Sequence, residues 1–97
     1  MYNPSQEEII ALKAKHGDVF KLIVGDKCCI MRTPTRKELG YASKSAEKDP
    51  LSFNDVILKS CFVAGDEEIK NDDTYFLGAS QKLTELIQVK EASLEKL

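Results

Sequence analysis

The chain has 97 residues, 42% of them hydrophobic and 31% charged, with a formal net charge of −2 and a sequence pI of about 5.4. That length suits one domain with a modest core, and the composition gives no sign of a mainly disordered chain. The acidic balance counts against a nucleic-acid-binding face, which is usually basic and raises the pI.

Residues 1–17 read as an N-terminal helix. Ser5 is placed to cap it, with Glu8 three positions on, and Gly17 is placed to stop it. Ile9, Ile10 and Leu12 are its apolar residues. A helix this short is marginal alone, so packing must hold it. The opening "MYNPSQEEII" has no basic stretch followed by an apolar one, so no signal peptide is expected.

Residues 18–33 carry the β signal. In "DVFKLIVGDKCCIMR" two apolar runs flank Gly25-Asp26, a pair suited to a two-residue type II′ hairpin. Phe20, Leu22 and Val24 share one face of the first strand, and Val19, Lys21 and Ile23 the other. An isolated hairpin is rarely stable, so helices or a second chain must cover it.

Residues 34–97 read as helical. Pro34 biases Thr33 toward extended backbone, and Thr35 with Glu38 forms a second capping box. Arg36 and Lys37 then fall in the first helical turn, where the helix dipole opposes cations by about 0.3–1 kcal/mol. Leu39, Ala42 and Ala46 form a weak stripe, interrupted at Gly40. The next helix has the strongest core pattern. Ser52 is its expected cap, Phe53, Val56, Ile57, Ser60 and Cys61 follow helical spacing, Leu58 and Phe62 widen the stripe, and Gly65 ends it. An acidic connector holds Tyr75, Phe76 and Leu77, with Asp73 or Thr74 capping a short turn. A long terminal helix comes last, capped by Ser80, with Leu83, Leu86, Ile87, Lys90, Leu94 and Leu97 near one stripe and Val89 at its edge. The expected fold is α+β, one β-hairpin packed with about four helices in a single small domain, 1–97.

The charge is uneven: residues 1–48 hold nine Lys/Arg against six Asp/Glu, and residues 49–97 hold five against ten. Such asymmetry can orient self-association or a charged partner. Cys28, Cys29 and Cys61 show no zinc-site spacing, and two neighbours in a strand face opposite ways, so reduced, partly buried thiols are expected in a cytoplasmic setting. No apolar run is long enough to span a membrane.

Chemistry-bearing clusters are few. Arg32, Arg36 and Lys37 near a helix start could hold a phosphate or carboxylate, or form a basic edge paired with acidic residues. His16 has no evident nucleophile or orienting partner. Asp66, Glu67, Glu68, Asp72 and Asp73 lack the ligand order of a calcium loop, and read as a solvated loop that could dock a basic partner. No catalytic residue, metal site or cofactor is assigned.

Four stretches carry a family resemblance: the hairpin "FKLIVGDKCCIMR", the strand exit "RTPTRKEL", the segment "ILKSCFVAGDEEI" and the ending "DDTYFLGASQKLTELIQVKEASLEKL". Together they cover most of residues 18–97 and resemble the small bacteriophage tail assembly chaperones. That resemblance implies a protein without catalytic residues that coats a long, hydrophobic, helical tape-measure protein and recruits tail tube subunits in the host cytoplasm. Members of that family are often largely helical, and the hairpin departs from this. The expected contact residues come from Phe20, Leu22, Ile30, Phe62, Tyr75, Phe76, Leu86, Leu94 and Leu97, with Arg32, Arg36 and Lys37 as the cationic candidates. The alternatives are a structural virion component or adaptor that stays in the particle, and a small ligand- or nucleic-acid-binding regulator acting through the three cations.

Overall fold

Gly25 takes φ +60 while Asp26 keeps a negative φ, the combination a type II′ turn requires. The turn joins β1 (Val19–Val24) to β2 (Lys27–Arg32) as the sequence leads one to expect. The computed structural model describes residues 2–87 and 92–97. Among the described residues the chain forms five α-helices, one 3₁₀ turn and a three-stranded antiparallel sheet, an α+β fold.

The third strand is the main correction to the helical reading of residues 34–97. Helix α3 spans Leu51–Cys61, after α1 (Gln6–His16) and α2 (Arg36–Ala46), and the chain turns directly into β3 (Phe62–Gly65). Phe62 and Gly65 therefore extend no helix. Phe62 pairs with Met31, Ala64 with Ile30 and Gly65 with Cys29, across a register shift between Ile30 and Met31. The strand forms because β2, central in the order β1-β2-β3, offers a second edge, and Phe-Val suits a pleated, half-buried surface.

Caps explain most helix starts. Ser5 accepts the Glu8 N–H at 3.2 Å. Thr35 and Glu38 form the full reciprocal box, with Glu38 N–H to Thr35 Oγ1 at 3.2 Å and Thr35 N–H to Glu38 Oε1 at 2.9 Å. At α3 the expected cap Ser52 is displaced by Asp49, whose carboxylate accepts the Leu51 N–H at 3.1 Å. Asp72, one residue before the expected position, accepts from Thr74 and Tyr75 and starts α5 (Asp73–Ser80), just after the single turn α4 (Glu68–Asn71). Thr35→Ala is expected to cost about 1 kcal/mol, read as a lowered urea midpoint at unchanged slope.

The expected long terminal helix does not form over the described residues. Ser80 ends α5, its hydroxyl donating back to Phe76 O at 2.8 Å, and Leu83–Leu86 is a 3₁₀ turn. Val89 and Lys90 of the expected stripe lie outside the described residues. Residues 92–97 are not helical, and Leu94 and Leu97 are fully exposed.

The main core joins the β1–β2 face bearing Leu22, Cys29 and Met31 to Ala42, Ile57, Leu58, Cys61, Ile69, Ala79, Leu83 and Leu86. Helices α2 and α3 pack on each other, α5 packs on β1, and α4 on β2. No described helix is long and apolar enough to cross a membrane.

Candidate interaction groove

Among the described residues β1 has a sheet neighbour on one side only, β2. In a two-residue hairpin the pair flanking the turn exchanges both main-chain bonds, and the pattern then alternates. Val24, Leu22 and Phe20 thus bond to β2, and the main-chain groups of Ile23, Lys21 and Val19 point away from it. Along this edge runs a groove of about 450 Å³ between β1 and the 3₁₀ turn. Phe20, Leu22, Met31, Leu83 and Leu86 supply its apolar lining, with Ile23, 57% exposed, at its mouth. Lys21, Lys82 and Glu85 form the polar rim, the last two 3.7 Å apart in an ion pair. Its volume lies in the range of sites that bury a small ligand or a few apolar side chains.

The sequence-derived candidates divide sharply. Phe20, Leu22 and Leu86 meet in this groove. Ile30 is buried in the sheet at 2% exposure. Phe62 lies half-buried in β3 with the Lys70 ammonium 4.3 Å from its ring centroid. The Tyr75 hydroxyl donates to the Asp26 carboxylate at the hairpin turn, which holds that carboxyl below its ordinary value and pushes the Tyr75 phenol up. Phe76 packs half-buried against the core. Leu94 and Leu97 are fully accessible and lie in non-helical chain.

The cationic cluster is not one site. Arg32 turns inward and meets its anion within the chain. Its Nη1 and Nη2 donate to Glu38 Oε1 and Oε2 at 2.9 and 2.6 Å, and also to Thr33 O and Ser60 O at 3.2 and 2.7 Å. The guanidinium fork holds the Glu38 carboxyl down at about 2, and the same bonds raise Arg32. Arg36 and Lys37 remain exposed in the first turn of α2, so no three-cation anion site is assembled.

The acidic loop is also engaged internally. Asp66 Oδ2 accepts the main-chain N–H groups of Tyr2 and Cys28 at 3.0 and 2.9 Å. Glu67 pairs with Lys70 at 2.6 Å, Glu68 with Lys27 at 3.5 Å, and Asp72 caps α5. This leaves Asp73 as the member of that set without a bond or ion pair among the described residues, which weakens the loop as a docking surface for a basic partner.

All three cysteines are free and buried. Burial pushes the Cys29 thiol up to about 12 and Cys61 to about 11, so neither is a ready nucleophile in the folded state. Among the described residues no group of three or more His, Cys, Asp or Glu is placed to hold a metal ion.

Ile23, Lys21, Leu83, Lys82 and Glu85 were absent from the expected contact set. The outward-facing isoleucine of an otherwise alternating strand was the available signal for the first of them. Comparison with known proteins finds no matching family model, no matching characterised sequence and no matching solved structure.

Proposed function

We propose that this chain is a non-enzymatic interaction protein that shields an apolar segment of a longer client, in the manner of the phage tail assembly chaperones its sequence resembles. The observation that supports this reading is the groove along β1. An apolar lining lies beside an unpaired strand edge, with an exposed isoleucine at the mouth. The groove gives the apolar side chains of a helical client a place away from water, and the strand edge offers main-chain bonds to client segments that are still extended. A tape-measure-like protein, long and aggregation-prone before tube subunits enclose it, is the client this chemistry fits. Tail tube subunits would be the second partner, in the cytoplasm of the host.

The experiment is a holdase assay. A hydrophobic helical tape-measure protein, diluted from denaturant, should stay in solution with this chain at stoichiometric amounts. Ile23→Glu should weaken client binding by about tenfold or more, through a charge placed against an apolar client. Its own stability should stay within about 0.5 kcal/mol, because the site is exposed. Equal protection by the variant would contradict the groove. Stoichiometric retention of the chain in finished virions would favour a structural component. Binding of nucleic acid that weakens steeply with salt would favour a regulator acting through Arg36 and Lys37.

A further inference from the structure

We propose that residues 2–17 form a reversible strap over the second face of the sheet, latched by the Asp66 carboxylate. Cys28 and Ile30 face away from the main core, since strand neighbours alternate and Cys29 and Met31 belong to that core. Yet they are 0% and 2% exposed, so something else covers them. The N-terminal segment is in place to do so. The Tyr2 main chain is fixed beside Cys28, because both N–H groups share Asp66 Oδ2. The Tyr2 phenol is pushed up, first by burial and then by Glu8 of α1 and the Cys28 thiol nearby. Helix α1 leads into β1 through Gly17-Asp18 and contacts it.

The strap is lightly held. None of the 11 residues of α1 is buried, and Ile10 is 60% exposed. Among the described residues no ion pair or side-chain hydrogen bond joins α1 to any residue outside the segment 2–17. Gly17, at φ +78 with open space where a Cβ would stand, connects the helix to β1 as a natural hinge. Segments with few buried contacts open at a fraction of the global unfolding free energy. The Asp66 bridge is the polar tie between strap and sheet, so its loss should free the strap without disturbing the Cys29–Met31 core. Opening would bare Cys28 and Ile30 next to Ile23, the cross-strand neighbour of Cys28, and so enlarge the apolar surface on the β1 side of the sheet.

Native cysteines test this directly. The full-length protein is pulse-labelled with N-ethylmaleimide over a series of low urea concentrations. Trypsin cuts after Lys27 and Arg32, and tandem mass spectrometry of the released peptide separates Cys28 from Cys29. Cys28 should label at least about tenfold faster than Cys29 and Cys61, with a shallow urea dependence that marks a local opening. Asp66→Ala should raise the Cys28 rate by about a further tenfold and leave the other two unchanged. One common rate with one steep urea dependence for all three cysteines would overturn the proposal, as would an Asp66→Ala variant that speeds all three alike. Should that variant fail to fold, the urea series on the unaltered protein decides alone.

Discussion

Gly65→Ala is expected to remove about 3–5 kcal/mol of stability, a large part of the total for a domain of this size. Gly65 sits at φ +136, a backbone region L side chains rarely adopt. An added Cβ would stand 2.5 Å from Cys29 Cα, 2.6 Å from the Cys28 carbonyl oxygen and 2.7 Å from Cys29 Cβ. The first two contacts are main chain, with no rotamer to yield. They also belong to β2, the strand that joins β1 to β3, so moving apart breaks the Cys29–Gly65 pairing and the Asp66 N–H bond to Cys28 O. Urea unfolding followed by circular dichroism checks this. An unaltered midpoint for the Gly65→Ala variant would mean that β3 does not dock as described.

The second large effect belongs to Arg32. Arg32→Ala should cost about 2–3 kcal/mol, because it leaves Glu38 Oε2 and the Ser60 carbonyl without the Arg32 donor, and the carboxylate without its counter-charge, in a site where both side chains are about three-quarters shielded. The pair also predicts a pH dependence. Glu38 is depressed in the folded chain to about 2 from an ordinary value of 4.5. Its stabilising contribution is therefore complete above the unfolded value and fades as pH falls from about 5 toward 2. Stability curves of the unaltered protein should decline through that window, and Arg32→Ala should decline less steeply there. Parallel curves for the two proteins would show that the ion pair contributes little.

The parts of the fold legible in the sequence are those set by local interactions. The hairpin was legible because its period of two and its Gly-Asp turn are contained in 14 residues, and the Thr35–Glu38 box because caps depend on neighbours three apart. The third strand was not. "SCFVAG" continues a helical apolar spacing, and its strand form depends on the free edge of β2, some 30 residues earlier in the chain. The terminal helix failed for a related reason. Leu83 and Leu86 are three apart, a spacing that serves a 3₁₀ turn as well as an α-helix, and one short turn suffices to bury both.

The candidate site shows the same limit. Arg32 reads in "MRTPTRKEL" as part of a basic cluster that binds an anion or pairs with acidic residues, without a named partner; the partner is Glu38, six residues on, because the capping box itself swings that carboxylate back toward the strand exit where Arg32 emerges. Tyr75 and Phe62 are contact candidates in the sequence, but the turn carboxylate of Asp26 and the ammonium of Lys70 engage them within the chain. The groove was hidden because it exists only once the 3₁₀ turn comes to rest beside β1, a meeting of residues 20–23 with residues 82–86.

The most direct test of the client-binding account is an NMR titration of the ¹⁵N-labelled chain with an apolar helical segment of a tape-measure protein. Shift changes should concentrate at Phe20, Lys21, Ile23, Leu83 and Leu86, and be lost in Ile23→Glu. Saturating binding that instead moves Arg36 and Lys37 and leaves the β1 groove silent, or no binding at millimolar peptide, would contradict it.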